Sequence, residues 1–580
     1  MNDKIRKLLE KVIDGEVSVE VFVPEHESQG HYSTNAALRL AKSENKKPLE
    51  LAKELKEKLQ KSAPEGFFEK IEAAAPGFIN FWISPEALQK EFGAISSELD
   101  DYGRGNLGKS KTVVIEYSQP NIAKKMHVGH LRTTIIGDAL ANIFEFLGYK
   151  VIRWNYLGDW GTQFGKLIAA YKLWGDKKKI EINPIEELQK LYVKFHDEVS
   201  AKGGSASGGK NTDLDKRGQE EFKKLEEGDK ENRELWYWFK KESLKEFEKI
   251  YEVLGVKFDS WIGESFYEKD LKPLVEKLLE KGIAERSEGS VIIPLGKSDI
   301  PPALIQKSDG ASLYLTRDIA NLSYRLKKYK PAKILYVVGN EQSLHFEQLF
   351  LTAKILGLTG AELVHVKYGL VLGEGSKKLA TREGRAILLE EVLRKAIRFA
   401  REIVDKKATD TLEAEKEKIA EAAGIGALKY NDLKENRTSD IIFDWEKMLD
   451  LSGDSAPYLQ YTYARLRSIL RKSEIRNPKS ETFRNLNSEI ELRIIRKLLV
   501  FPDEVRRSEE NLSTSNIANY LYKLAVLANQ LYETTPILPA RGGESINKER
   551  RQALLSLIEA TASVLKTGLG LLGIKTLEAI

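Results

Sequence analysis

The chain has 580 residues, 42% of them apolar and 31% charged, with 92 Lys+Arg against 87 Asp+Glu and no cysteine. At roughly 150 residues per domain this length holds about three to five domains, and the composition excludes wholesale disorder. Disulfides, thiolate nucleophiles, iron–sulfur clusters and Cys-containing zinc sites are excluded, while a net charge of +5 permits a polyanionic partner without requiring one.

The opening MNDKIRKLLEKVIDGE carries acids in its first turns and lacks the apolar segment of a secretory leader or transit peptide. Uncharged apolar runs fall well short of the roughly 20 residues that span a bilayer. A cytoplasmic protein with no membrane partner is expected. Residues 1–105 mix amphipathic helices (KIRKLLEKVI, NAALRLAK, LELAKELKEKLQK) with short strands (VSVEVFVP, FINFWIS), a small α+β module closed by the turn-rich DDYGRGNLGKSK. From Lys111 the pattern becomes strand (KTVVIEYS), loop, a helix over about 131–147, Gly148, and strand (KVIRWNYLG), a βαβ unit that predicts a parallel sheet. Residues 165–295 read as a mostly helical, highly charged insertion with a mobile loop at SAKGGSASGGKNTD. The sheet resumes with a strand at ASLYL, a turn at TRD, then AKILYVVG, the helix LHFEQLFLTAKILG and ELVHVKYGLVL. After about residue 386 the strand signal fades, and 386–580 reads as an all-helical domain. The fold class expected is α/β: a Rossmann-type parallel sheet with inserted helices over 106–385, between an α+β N-terminal domain and an all-α C-terminal one.

Glu116–Leu140, EYSQPNIAKKMHVGHLRTTIIGDAL, lies between the first core strand and its helix, where open α/β sheets bind ligands. His127-Val128-Gly129-His130 sets two imidazoles around a glycine that lets a nucleotide approach the backbone, next to a helix N-terminus that attracts phosphate. Such a pair suits phosphoryl or nucleotidyl transfer without a covalent intermediate, and Lys124 adds a positive charge. Taken alone, the four residues also fit chance histidines capping a helix, and Lys124 a solvated loop lysine.

The segment resembles the HIGH motif of class I aminoacyl-tRNA synthetases. SQPNIAKKMHVGHLRTT, NYLGDWGTQFG, YLTRDIA, VGNEQSLHFEQ and SAPYLQYTYARLRSI, with GHYSTNAALRLAK and APGFINFWIS near the start, are similar in order to arginyl-tRNA synthetases over almost the whole chain. The resemblance implies a ligase that joins arginine to ATP, releases pyrophosphate, and transfers arginine to the 2′-OH of the terminal adenosine of its tRNA. It implies contacts to ATP from His127, Gly129 and His130. The KMSK counterpart in the 375–384 loop is Lys378-Leu379-Ala380-Thr381, where Leu, Ala and Thr replace Met, Ser and the second Lys. By the same resemblance Lys124 substitutes for that lysine, with Lys378, Thr381 and Arg382 as further candidates. Tyr314, Asp318 and Gln342 are implied to line the arginine side-chain pocket, and Gln119, Pro120, Asn121 and His130 to hold the amino acid, with Glu116 another acid in reach. A carboxylate is the physical partner for a forked guanidinium, although Asp318 also fits a helix-start acid, Tyr314 strand packing, and Gln342 and His345 surface residues opening a helix. Mg²⁺ is expected with ATP, no zinc, and a monomer.

In LQYTYARLRSILRKSEIR, Tyr461, Arg465, Ser468 and Lys472 share one helical face, with Leu459, Leu466 and Leu470 on the buried side. Interleaved aromatic and basic groups suit a single-stranded loop, and with the resemblance Tyr458, Tyr461 and Arg465 are expected to contact the anticodon. A class I synthetase for another amino acid, a small nucleotidyltransferase without an RNA partner and a non-catalytic RNA-binding paralogue remain alternatives.

Overall fold

The computed structural model describes residues 1–13, 19–201, 212–296, 299–308, 310–373, 387–408, 411–473, 483–537 and 547–579. At the N-terminal end β1 (Val21–Phe22), β2 (Tyr32–Thr34), β3 (Phe68–Ala74) and β4 (Phe78–Ile83) form an antiparallel sheet in the order β1-β2-β4-β3. Helices Asn2–Val12 and Pro48–Ser62 bury Ile5, Leu8 and Leu9, and Leu51, Leu55 and Leu59, at the three-to-four spacing that puts apolar groups on one face. Helix Pro85–Glu98 starts with Ser84 accepting from the Ala87 N–H and Pro85 in the first turn. It docks on the C-terminal helices, where Gln89 donates to the Leu486 carbonyl at 2.9 Å and the Phe92 and Phe483 rings lie 4.8 Å apart.

β5 (Thr112–Glu116), helix Gly129–Phe146 and β6 (Lys150–Trp154) form the βαβ unit read from the sequence. Helices then run from Thr162 to Glu280, followed by a small antiparallel sheet of β7 (Glu285–Ser287), β8 (Ser290–Ile293) and β9 (Ala303–Gln306). The core sheet resumes with β10 (Lys333–Tyr336) and β11 (Glu362–His365), all parallel in the order β11-β10-β5-β6. Both faces are covered, which is why Val113, Val114 and Ile115 are all buried rather than alternating. From β5 the chain goes to β6 on one side, while β10 lies on the other, so the sheet switches direction between β5 and β10. Glu116 and Tyr336 are paired at the carboxyl ends of these strands, beside the crevice that such a switch opens.

The expected strand at ASLYL and turn at TRD are absent. Tyr314–Tyr329 is a helix, with Leu315, Ile319 and Leu322 buried at helical spacing and Leu313 extended as its N-cap. The alternation of Leu313 with Leu315 mimics a short strand, but burial of positions four and three apart decides for the helix. The loop expected at SAKGGSASGGKNTD falls largely on 202–211, outside the described residues.

β12 (Val371–Leu372) pairs in parallel with β13 (Ile441–Ile442). Among the described residues the rest of the C-terminal part is mainly helical: Leu389–Lys407, Glu413–Leu433, Ala456–Lys472, Glu489–Glu510, Ser515–Thr534 and Lys548–Leu571 are its longer helices. Lys548–Leu571 is long and apolar enough to cross a membrane by length and composition, and here it lies at the centre of the bundle with Leu554, Leu557, Ile558 and Leu565 buried.

Candidate active site and RNA-binding surface

The loop after β5 runs from Tyr117 to Val128 and is held in a conformation that its sequence alone does not favour. Ser118, Gln119 and Ala123 have φ of 75°, 54° and 61°, left-handed values that cost non-glycine residues on the order of 1 kcal/mol each. Compensating hydrogen bonds come from three directions. The Ser118 N–H donates to Thr133 Oγ1 at 3.0 Å, the Gln119 N–H to Asn155 Oδ1 at 3.2 Å and the Ala123 N–H to Ser243 Oγ at 2.9 Å. Tyr251, on the inserted helix Lys230–Leu254, bridges Ser118 Oγ at 2.6 Å and Asn155 Nδ2 at 3.1 Å. The insertion thus sets the loop that leads into the histidine pair.

His127 and His130 have ring centroids 4.1 Å apart. The His127 N–H points at His130 Nδ1 at 3.1 Å and the Gly129 N–H at His127 Nδ1 at 3.1 Å. The Nδ1 of His127 therefore accepts, which assigns the proton of its neutral ring to Nε2, whereas Nδ1 of His130 faces both the N–H and, at 3.2 Å, the carbonyl of His127. Burial lowers the pKa of both, that of His130 to about 4 with the neighbouring His127 adding to the effect. Near neutral pH both rings are neutral, and His127 presents its Nε2–H. A Cβ on Gly129 would stand 2.8 Å from His127 Cε1, so the glycine is needed for this ring placement. Lys124 is exposed in the same loop, its Nζ 5.6 Å from the Tyr192 ring of the insertion. Lys378, Thr381 and Arg382 lie outside the described residues. The following chain returns to the histidine turn, with the Val128 N–H on the Ile387 carbonyl at 3.0 Å and the Leu389 N–H on the Met126 carbonyl at 2.9 Å.

Asn121 and Pro120 are laced to the DWG segment: the Ile122 N–H donates to the Gly158 carbonyl at 3.2 Å and the Gly158 N–H to the Pro120 carbonyl at 3.1 Å. A Cβ at Gly158 would come within 2.1 Å of Asn121 Oδ1. Tyr314, 66% exposed, and Asp318 stand one turn apart on helix Tyr314–Tyr329. Asp318 Oδ2 is 2.6 Å from His345 Nε2, so His345, in the first turn of helix Ser343–Ile355, faces Asp318. Burial alone would lower the His345 pKa, but the Asp318 hydrogen bond and the charges of Asp318 and Glu116 raise it. Gln342 is exposed in the turn Asn340–Gln342 that leads into helix Ser343–Ile355.

Glu116 is placed deeper than an open pocket wall. It is buried, ion-paired with Arg325, and accepts from Gln119 Nε2 at 2.6 Å. Burial raises its pKa and Asp318 adds to this, against the pull of Arg325. Three groups of the crevice were not anticipated. Arg325 is fully buried, its guanidinium 4.3 Å from the Trp154 ring; its only signal was an arginine within a helix otherwise burying Leu315, Ile319 and Leu322. Glu264 is buried, and its pKa is pushed up to about 8 by burial, with Asp318, Asp159 and Glu268 adding and Arg317 opposing. Asp159 is held by Lys240 and by the N–H and hydroxyl of Ser265, both at 2.8 Å. Among the described residues no group of three His, Asp or Glu side chains is disposed to hold a metal ion.

In the helical part, Tyr461 and Arg465 share a face of Ala456–Lys472, where Ser455 caps the first turn. The Arg465 guanidinium lies between the rings of Tyr461, at 4.6 Å, and Tyr532, at 4.7 Å, and donates to Asn529 Oδ1 at 2.8 Å. Asn529 Nδ2 in turn donates to the Tyr458 hydroxyl at 3.0 Å. Leu459 and Leu466 are buried and Leu470 partly so. Beside Tyr461 opens a cavity of about 690 Å³ lined by Ile403, Ile419, Leu451 and Pro457 among others. Tyr532 and Asn529 come from helix Ser515–Thr534, and nothing in the local sequence pairs them with Arg465.

Family models match in three consecutive stretches: an arginyl-tRNA synthetase N-terminal domain over residues 1–83, the catalytic domain of class I tRNA synthetases (R) over 95–445, and a DALR anticodon-binding domain over 459–580. An arginine–tRNA ligase of Halothermothrix orenii is 40% identical over 566 residues, covering 97% of this chain and 96% of that protein. One of Clostridium perfringens is 44% identical over 543 residues, covering 93% and 92%. The chain belongs to the arginyl-tRNA synthetases. Its fold agrees: the crystal structure of the arginyl-tRNA synthetase from Plasmodium falciparum superposes with a TM-score of 0.77 at 27% identity, covering 100% of this chain and 99% of that one. The activity is arginine–tRNA ligation, with ATP and arginine as substrates and tRNA as partner. The family resemblance read from the motifs, the α/β fold class and the ligase activity are thereby established, and the alternatives from other enzyme classes fall away.

Proposed function

We propose that the His127–His130 turn binds the phosphates of ATP and that the Asp318 wall selects arginine. The observation that carries the first half is the pair of imidazoles, 4.1 Å apart at the start of helix Gly129–Phe146, with the Nε2–H of His127 fixed by the Gly129 N–H on its Nδ1. Neutral donors held in place cost no reorganisation as the α-phosphate gains charge under attack by the arginine carboxylate, and their worth is greatest in a water-poor site. Gly129 allows the close approach, and Lys124, with Lys378, Thr381 and Arg382, is assigned to the departing pyrophosphate. Mg²⁺ enters with ATP, and the described residues offer it no ligand set of their own.

For the second half, Asp318 supplies the carboxylate, oriented by His345, and Glu264 a second carboxyl whose proton is displaced when a cation settles beside it. Tyr314 and Gln342 flank the guanidinium. Asn121, Gln119, Pro120 and His130 hold the α-amino and carboxylate end. Glu116 acts at one remove, fixing Gln119 while Arg325 meets its charge. Arginine then passes to the 2′-OH of the terminal adenosine.

Tyr458, Tyr461 and Arg465, with Tyr532, form the anticodon contact, the neighbouring cavity admitting an unstacked base. Residues 1–105 hold the outer part of the tRNA, 106–385 perform the chemistry and 386–580 read the anticodon, in a cytoplasmic monomer.

The test is ATP–pyrophosphate exchange and tRNA charging by purified His130→Ala. Loss of one such donor is expected to lower the rate of adenylate formation by about 100- to 1,000-fold with the melting temperature retained. Wild-type exchange in that variant would refute the assignment.

A further inference from the structure

We propose that Tyr251 is a positioning residue for the amino-acid substrate, its hydroxyl holding Ser118 and Gln119 in the conformation that turns Gln119 back onto Glu116. The proposal rests on the reading of Gln119, Pro120 and Asn121 as holders of that substrate. Ser118 and Gln119 are consecutive residues with φ of 75° and 54°, left-handed values that the surrounding structure must impose on side chains of this kind. Helix Gly129–Phe146 supplies part of the constraint, Thr133 Oγ1 accepting the Ser118 N–H and Thr134 Oγ1 donating to Ser118 Oγ, both at 3.0 Å. The rest converges on one oxygen of the insertion. The Tyr251 hydroxyl shares a hydrogen bond with Ser118 Oγ at 2.6 Å and accepts from Asn155 Nδ2 at 3.1 Å. Asn155 Oδ1 in turn accepts the Gln119 N–H at 3.2 Å. One hydroxyl thus reaches the first residue through its side chain and the second through its backbone. Tyr251 and Ser118 are 2% exposed and Asn155 is fully buried, so bulk water has no access to replace a lost partner.

This backbone decides where polar groups stand in the crevice. It lets Gln119 Nε2 donate to Glu116 Oε1 at 2.6 Å, at the carboxyl end of β5 where the sheet switches direction. The Asp318 charge is felt there, pushing the Glu116 pKa up, so Gln119 and Asp318 border one space. The hydroxyl serves alignment and the ring serves packing. The Tyr251 ring lies against Phe258 and Trp261, with centroids 4.9 and 5.6 Å away, contacts that a phenylalanine keeps. Eight residues earlier on helix Lys230–Leu254, Ser243 Oγ accepts the Ala123 N–H at 2.9 Å, at the third left-handed position. One helix of the insertion therefore offers a hydroxyl to each end of the segment 118–123. The histidine turn beyond that segment has ties of its own, from the Gly129 N–H to His127 Nδ1 and from Ile387 and Leu389 to the backbone of Val128 and Met126. Loss of the Tyr251 oxygen thus disturbs the amino-acid end of the crevice and leaves the paired histidines in place. A misplacement of about 1 Å in a substrate-holding group costs up to about 100-fold.

The test is steady-state exchange by the full-length chain with tRNA present, in Tyr251→Phe, Ser118→Ala, their double variant and Gln119→Ala. Tyr251→Phe keeps the ring and loses the oxygen, and its arginine KM is expected to rise about tenfold while its ATP KM stays within about twofold. Ser118→Ala removes the same bond from its other end and is expected to show the same split. In the double variant the arginine KM is expected to rise no further than in the worse single one, because both substitutions remove one interaction. A structural role alone would lower the melting temperature and the active fraction and leave both KM values unmoved. A wild-type arginine KM in whichever single variant folds, equal rises in the arginine and ATP KM, or single effects that multiply in the double variant would overturn the proposal. Gln119→Ala locates the failure. If its arginine KM is wild type, the reading of the loop as the amino-acid site is at fault; if it rises while Tyr251→Phe is wild type, the fault lies with Tyr251 alone.

Discussion

A neutral imidazole has one N–H to give, and in this crevice the backbone decides which. By offering the Gly129 N–H to Nδ1 of His127, the turn directs the remaining proton of that ring outward, while Nδ1 of His130 faces both the N–H and the carbonyl of His127. The His–x–Gly–His spacing was legible in the sequence; the tautomers were not, because they depend on how the turn folds back on itself. The low pKa of His130, about 4 against an ordinary 6.5, has a sign that can be checked. A base whose folded pKa is depressed leaves the folded state with fewer bound protons than the unfolded one, so stability falls as pH drops from about 6.5 toward 4. Glu264 works the other way. With its pKa raised to about 8 from 4.5, the folded state holds the extra proton, so its contribution is full below about 4.5 and is lost as pH rises through 8. The same ionisation favours a bound guanidinium. The KM for arginine is therefore expected to fall between about pH 7 and 8.5 in the wild type and to stay flat over that range in Glu264→Gln; parallel profiles would count against Glu264 facing the substrate. Gly158 gives a second residue-scale prediction. A methyl group there collides with the Asn121 amide oxygen, so Gly158→Ala should raise the arginine KM about 10- to 100-fold while the fold survives, as steady-state kinetics beside a melting curve would reveal.

At the scale of elements, the unit from β5 to β6 was readable because local signals agree: a β-branched run, a helical period, a glycine stop and a second run. ASLYL was misread because four residues of alternation fit both periods, and only burial along Tyr314–Tyr329 separates them. That error moved Asp318 from a turn to the second turn of a helix, yet left it at the crevice. Arg325 and Glu264 were hidden for a different reason, since a charged residue looks solvated until its partners from other elements are known. The same holds for Tyr532, which meets Arg465 across two helices. Stacking on an aromatic ring is worth roughly 1–3 kcal/mol per base, so Tyr532→Ala is expected to raise the KM for tRNA about tenfold or more without moving those for ATP and arginine. A rise in all three would assign Tyr532 to packing. Asp432→Ala, which strands its buried ion-pair partner Arg132 in the interior, should cost about 3–5 kcal/mol of unfolding free energy in a denaturant titration.

Across the whole molecule, order along the chain carried the family assignment better than any single motif. The supports of the crevice and of the histidine turn are assembled over long separations: Ser118 meets Tyr251, Glu116 meets Arg325, and Arg132 meets Asp432. No window of sequence contains such pairs, which is why the motif residues were found and their supports were not. The net charge of +5 is small for a chain of 580 residues, so attraction for tRNA must come from local clusters of Lys and Arg. Binding of tRNA should therefore weaken linearly in a plot of log affinity against log salt. The measurement that bears most directly on how this crevice chooses its amino acid is the kinetics of Asp318→Asn. Removing the carboxylate that meets a bidentate cation should cost about 2–3 kcal/mol, so the KM for arginine is predicted to rise roughly 30- to 150-fold while the KM for ATP stays within a factor of two or so. Equal rises in both, or an unchanged KM for arginine, would contradict the account.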